Sequence, residues 1–306
     1  MCLLGACSKT AIPEWQPLDW RGLHFPNRLG IAGGVDKDGI GLKGWWTAGA
    51  GFLEIGTITP EPQRGNSGQL VARDPAHLAL WNRLGFPSQG AARVASRLKK
   101  LERPFRTPIF ANIGKNAITP LDSAYLDYLK VANQLDGLVD GFVVNISSPN
   151  TKGLRELLKP ARLKEFLAPL KDRFAGVNWL LKLSPDIGDK ELAAILETST
   201  EAGVSGWILT NTSQGLRERL PFPLDGGVSG TPLANRSRMF LRSAIKILGP
   251  DKRDRLLVSV GGVMTPDDVL ERLSLGADLV EVYAALIYSG PLFFRQVAKW
   301  QQQRKK

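Results

Sequence analysis

Asn145 to Arg155, NISSPNTKGLR, crowds two asparagines, two serines and a threonine behind the apolar run GFVV. Once buried, a strand tip of that kind is costly unless its side chains meet a ligand or one another, so chemistry is expected here first. Lys37 and Lys182 pose the same question, because lysine is almost never buried without a partner. Two such lysines at strand ends argue for a bound anion or an electron-rich ligand. The chain holds only two histidines, His24 and His77, both outside polar clusters, and two cysteines, Cys2 and Cys7. Neither a zinc site nor a His-dependent nucleophile triad assembles from these, and cysteines so close together cannot staple a fold. The chemistry must use Ser, Lys, Asn or a cofactor, in a reducing compartment.

The elements that would position these groups are short aliphatic runs separated by helix-length amphipathic segments. Candidate strands are 28–34, 52–59, 108–114, 141–147, 179–184, 206–212, 256–262 and 279–285, with helices at 121–137, 160–174, 189–202, 232–247 and 266–275. Thr265 is a plausible cap for the last of these. A final helix over 291–302 begins at Pro291 and puts Phe293, Val297 and Trp300 on one face. Eight near-continuous apolar strands alternating with helices predict a single-domain α/β fold, the (β/α)8 TIM barrel, ahead of an open doubly wound sheet.

In a barrel every strand's C-terminal end faces one rim. Lys37, Thr57, Thr59, Asn112, Asn145, Ser147, Lys182, Asn211, Thr212, Gly261, Gly262 and Tyr283 therefore converge on one pocket. The SVGG run, with Ala284–Ala285, falls where barrels hold phosphate through backbone N–H groups, and GGVSG (226–230), read as a loop after strand six, would close that cradle.

Composition bounds the alternatives. With 306 residues, 43% hydrophobic and 23% charged, the chain can build a large core and is ordinary for a soluble protein. The net charge of +11 is spread along the chain rather than massed in a nucleic-acid stripe, and suits a small anionic ligand or an anionic membrane surface. MCLLGAC has the style of a lipoprotein cleavage site, but lacks a basic start and a long enough apolar run for lipidation at Cys7.

Taken together, GGVDKDG, EIGTITPEPQRGN, NRLGF, NIGKN, NISSPNTKGLR, KLSPD, TNT, GGVSG and GG resemble, from about Leu18 to Pro291, the dihydroorotate dehydrogenases, flavin barrels of pyrimidine biosynthesis. Within them the class 2, quinone-reducing branch is the better match, because Ser148 stands where soluble class 1A enzymes place Cys. The resemblance implies oxidation of (S)-dihydroorotate to orotate with FMN, electrons passing to a quinone. It makes Ser148 the general base for the C5 proton, with Thr151 and Phe86 ordering the proton path. Lys37, Asn82, Asn145, Asn150, Asn211 and Thr212 match substrate-holding positions, their amides suiting the donor and acceptor edge of a pyrimidine. Gly33, Lys37, Thr57, Asn112, Asn145 and Lys182 match positions near the flavin ring, and Gly230, Gly261, Gly262, Tyr283 and Ala284 its phosphate end.

The chain departs from that pattern at a few places. Ala284 replaces a usual Ser or Thr, so one phosphate contact is missing, and Glu281 occupies a common Gln position. Gly33–Gly34 and Pro87–Ser88 also differ. Class 2 enzymes carry a two-helix membrane and quinone extension, which residues 1–17, at ~1.5 Å rise per residue, cannot supply; residues 18–306 are the barrel. The expectation is a peripheral protein on the cytoplasmic side of the inner membrane, or a soluble cytoplasmic one, with no nucleic-acid partner and no metal. A non-quinone acceptor, or a flavin-binding barrel without turnover, is the alternative. The dihydrouridine synthases fit less well, since they would add a catalytic Cys and an RNA-binding region.

Overall fold

The computed structural model describes residues 11–216, 220–223 and 225–304; Cys2, Cys7 and the MCLLGAC reading lie outside the described residues. The chain opens with a hairpin, β1 (Leu18–Trp20) and β2 (Leu23–Phe25), followed by β3 (Leu29–Asp36), α1 (Leu42–Ala48) and β4 (Phe52–Ile58). An excursion makes β5 (Val71–Asp74) and β6 (Ala79–Asn82), and α2 (Ala91–Leu98) returns to the barrel. Then come β7 (Ile109–Ile113), α3 (Ala124–Gln134), β8 (Gly141–Asn145), α4 (Pro160–Arg173), β9 (Trp179–Leu183), α5 (Asp189–Glu201), β10 (Gly206–Leu209) and β11 (Gly227–Gly230). The series ends with α6 (Ala234–Leu248), β12 (Leu256–Val260), α7 (Pro266–Ser274), β13 (Leu279–Val282), α8 (Ala284–Tyr288) and α9 (Phe293–Arg304).

Strands β3, β4, β7, β8, β9, β10, β12 and β13 pair in that order, all parallel, and β13 closes on β3. This is the TIM barrel expected from the alternation of apolar runs and helices. Successive strand residues face opposite sides, and the sequence uses that period in a consistent way. Phe52, Phe110, Val143, Leu180 and Leu279 point inward and share one apolar layer inside the barrel. Two residues further along the same strands stand Glu54, Asn112, Asn145, Lys182 and Glu281, all buried. The outward positions between them, such as Leu53, Ala111, Val144 and Leu181, pack under the helices in the larger core.

The hairpin seals the barrel's N-terminal end. Phe25 is fully buried, its ring 5.9 Å from Phe52 edge-on and 6.4 Å from Phe110 in a stacked arrangement. The interior is therefore apolar at the bottom and polar toward the rim. Helix α7 starts as expected, with Thr265 Oγ1 accepting the Asp268 N–H and the Asp268 carboxylate accepting the Thr265 N–H.

Three expectations need correction. GGVSG is a strand rather than a loop: β11 pairs antiparallel with β6, and β6 with β5, in a small sheet at the rim. Its glycines hid the strand, since they carry no alternating pattern. The last helix begins at Phe293, not Pro291, and buries Phe293, Phe294, Val297 and Ala298, while Trp300 is only half-buried. Both histidines have acidic partners, His24 with Asp19 at 2.7 Å and His77 with Asp74 at 2.6 Å, on the surface. Among the described residues no cluster of potential ligands forms a metal site.

Candidate active site

One cavity, open at the rim, takes lining residues from all eight barrel strands or the turns just after them. It is lined by Gly33, Lys37, Thr57, Asn82, Phe86, Asn112, Asn145, Ser148, Asn150, Lys182, Asn211, Thr212, Gly230, Gly261, Gly262, Tyr283 and Ala284. Thr151, alone of the residues singled out as binding or catalytic, does not line it; its Oγ1 is buried without a hydrogen-bond partner among the described residues. Thr59 and Ser147 also stand back from the wall, their hydroxyls given to Glu61 O and Asn145 Oδ1.

The floor is ionic. Lys182 donates to both oxygens of Glu54, at 2.7 and 3.0 Å, and lies 3.8 Å from Glu281 Oε2. Glu54 also accepts the Gly33 N–H at 2.7 Å and a short hydrogen bond from Asn112 Nδ2. The argument from two lysines to a bound anion therefore fails for Lys182, whose charge is balanced inside the protein. Glu54 was the missed residue. Its signal was an acid two places after Phe52 on a strand otherwise fully apolar up to that point, which only a buried cation tolerates.

The two acids divide their roles. Burial would raise the Glu54 carboxyl, but Lys182 and the hydrogen bonds from Glu281 and Asn112 bring it below the ordinary value. Burial and the Glu54 charge push Glu281 well above that value, against the pull of Lys182. Glu54 is thus the carboxylate and Glu281 the neutral acid. Folded Glu281 keeps a proton that the unfolded chain gives up above about pH 4.3. Its contribution to stability is complete below that pH and is lost as pH rises through the folded-state value. Glu281→Gln, which does not titrate, should gain on the wild type in melting temperature from about pH 5 upward. Parallel melting curves across that range would mean that Glu281 is ionised when folded.

Above the floor the amides hold one another. Asn145 Nδ2 donates to Thr57 Oγ1 at 3.1 Å and to Asn112 Oδ1 at 3.2 Å, while Asn145 Oδ1 accepts from Ser147. Asn211 Nδ2 donates to Ser147 Oγ at 3.0 Å, and Asn150 Nδ2 to Asn82 Oδ1 at 2.8 Å, leaving Asn150 Oδ1 without a partner among the described residues. Ser148 is 5% exposed, and its Oγ accepts the Asn150 N–H at 3.2 Å. Phe86 also lines the wall, at φ 57, an uncommon backbone for a bulky residue. Burial lowers the Lys37 ammonium despite Asp38 and Asp36, and its Nζ donates to Gly34 O at 2.7 Å.

Arg155, the last residue of NISSPNTKGLR, ties this loop to the next. It donates to Ser147 O at 2.9 Å, to Thr212 O at 3.1 Å and to Asp186 Oδ2 at 2.9 Å. Asp186 also accepts the Gln214 N–H at 2.8 Å and pairs with Arg236 at 3.0 Å, so the rim loops are joined through this carboxylate.

At the other end the wall is backbone. A Cβ on Gly230 would fall 2.1 Å from Leu78 O, and one on Gly262 2.3 Å from Ala234 Cα, with φ +84 and +70 respectively. Both positions admit only glycine. Gly262→Ala is expected to cost about 2–4 kcal/mol in urea denaturation, from overpacking and left-handed strain together. A loss below about 1 kcal/mol would show that this turn yields easily.

A family model described as dihydroorotate dehydrogenase matches residues 18–303. A Thermus thermophilus protein named dihydroorotate dehydrogenase (quinone) is 44% identical over 280 residues, covering 90% of this chain and 79% of the relative. One of the same name from Chromobacterium violaceum is 39% identical over 295 residues, 93% of this chain and 84% of the relative. The crystal structure of ligand-free DHODH from Eimeria tenella superposes with a TM-score of 0.86 at 31% identity, covering 95% of this chain and 87% of that one. The ferulenol complex from the same organism gives a TM-score of 0.83 over 92% and 82%.

Proposed function

The chain belongs to the dihydroorotate dehydrogenase family, and from that footing we propose that its rim cavity oxidises (S)-dihydroorotate to orotate, the electrons leaving to a quinone, in pyrimidine biosynthesis. The observation that carries this reading is the position of Ser148. Its hydroxyl opens into the cavity, nearly dry, among Asn82, Asn145, Asn150, Asn211 and Thr212. Those side chains present both donors and acceptors, as the edge of a dihydropyrimidine requires. The unpaired Asn150 Oδ1 is one acceptor still without a donor among the described residues. Lys37 adds a cation suited to the substrate carboxylate.

The wall suits FMN as the cofactor. Gly230 and Gly262 are packed against backbone where a side chain would collide, and the turns at Gly261–Gly262 and Ala284, on the cavity wall, offer backbone to a phosphate. Gly33, Thr57, Asn112, Asn145 and Lys182, all on the cavity wall, would hold the ring. Lys182 has three protons, of which two go to Glu54, so one is left for an electron-rich ring atom. When bound, FMN supplies the hydride acceptor for C6 of the substrate and the relay of electrons onward. Ser148 Oγ takes the C5 proton, helped by the Asn150 N–H, which favours negative charge on that oxygen, and by exclusion of water.

Anaerobic addition of dihydroorotate to the flavin-loaded protein should bleach the flavin spectrum, and a spectrum that does not change would end this proposal. Turnover with a soluble quinone should exceed that with fumarate or NAD; the reverse order would replace the acceptor. Among the described residues no helix is long and apolar enough to cross a membrane. With a net charge of +11, peripheral contact with an anionic bilayer is the arrangement proposed for meeting the quinone.

A further inference from the structure

Behind the glycine end of the cavity lies a guanidinium with no carboxylate partner among the described residues. Arg272, on α7, is 1% exposed. Its Nη1 donates to Ser259 Oγ at 3.2 Å, and its Nη2 to Ser237 Oγ at 2.8 Å, Ala234 O at 3.0 Å and Gly261 O at 3.0 Å. All four acceptors are neutral. Glu271 and Asp268 are the acids whose charges reach it, but Glu271 pairs with Arg238 at 2.9 Å and Asp268 accepts the N–H groups of Met264 and Thr265. Among the described residues none makes a salt bridge to Arg272. A buried cation facing only neutral dipoles is expensive, and an anion nearby would offset that cost.

The same contacts fix the direction of one peptide. Gly261 O accepts from Arg272 and, at 2.6 Å, from Ser237 Oγ. Carbonyl and N–H of a trans peptide point opposite ways. With the carbonyl pulled back toward Arg272, the Gly262 N–H is turned the other way, and among the described residues it meets no backbone acceptor. Gly261 and Gly262 line the cavity, and Arg272 does not.

We propose that Arg272 is the positioning residue of the anion cradle: it holds the Gly261–Gly262 peptide with its N–H toward the ligand, supplies positive potential from behind, and so makes the chain select a phosphorylated flavin over an unphosphorylated one. This rests on the reading of the cavity as an FMN site. Arg272 acts through the backbone, without touching the ligand, and offsets at this end what Ala284 lacks in side-chain hydroxyl.

The test is to strip the full chain of flavin and titrate it with FMN and, separately, with riboflavin, which has the ring but no phosphate. Wild type should bind FMN much more tightly than riboflavin. In Arg272→Gln the FMN affinity should fall roughly 10- to 100-fold, the range of a charge-assisted hydrogen bond, with riboflavin changed less than about threefold. Retained riboflavin binding shows that the barrel is intact. Arg272→Lys, which keeps the charge but cannot bridge Gly261 O, Ser237 and Ser259 together, should also narrow the preference, and serves if the glutamine variant does not fold. Equal losses for both flavins, or an unchanged preference in both variants, would overturn the role of Arg272. Equal binding of FMN and riboflavin by wild type would instead remove the phosphate reading itself, and this proposal with it.

Discussion

Ser148→Ala should slow flavin reduction by dihydroorotate about 10²- to 10⁴-fold at neutral pH, the usual worth of a positioned proton acceptor, while dihydroorotate binding changes only a few-fold. The separation follows from the geometry. The Asn82 and Asn150 side chains are bonded to each other, and those of Asn145 and Asn211 are tied to Ser147, so none of these side-chain amides is held by the Ser148 hydroxyl. What disappears is the oxygen that accepts the Asn150 N–H, and with it, on the proposed reading, the group that takes the C5 proton. A serine does not hold a proton gained at its oxygen, so the proton must move on. On the proposed reading, Thr151 Oγ1, buried without a hydrogen-bond partner among the described residues, and Phe86, on the cavity wall, are the local features for that step. Rapid mixing without oxygen, monitored at the flavin absorbance, reads the rate directly. Undiminished reduction would remove Ser148 as the base, and a loss of binding in place of rate would make it a substrate anchor.

The barrel was legible because its signals are periodic: aliphatic strands, amphipathic helices and Thr265 at a helix start all obey local rules. The rim cavity was legible for the same reason, since polar residues at strand ends must converge once the sheet closes. Glu54 was lost because its meaning is non-local. Nothing near Glu54 in sequence shows that Lys182, on another strand, comes within 2.7 Å. The β5–β6–β11 sheet was lost because Gly227 to Gly230 alternate nothing, and pairing with Ala79–Asn82 is fixed by backbone alone. Arg272 gave no sign either, as an arginine on an amphipathic helix reads as surface. Only its burial beside Gly261 distinguishes it.

The ionic floor makes an asymmetric prediction. Lys182→Met, measured by urea denaturation on the flavin-free chain, should cost about 3–5 kcal/mol, because Glu54 is left fully buried with no cation. The simple expectation for Glu54→Gln is a similar loss from an orphaned Lys182. Glu281 changes that. It is neutral in the wild type chiefly through burial and then through the Glu54 charge, and its Oε2 stands 3.8 Å from Lys182 with no other partner among the described residues. With Glu54 neutralised, that repulsion is gone and Lys182 needs an anion, so Glu281 should give up its proton and take the pair. The cost of Glu54→Gln should therefore be well below that of Lys182→Met. Adding Glu281→Gln to Glu54→Gln should restore the full penalty, a non-additivity that two independent residues would not produce. Equal losses in the two single variants, or strict additivity in the double, would show that Glu281 cannot stand in for Glu54.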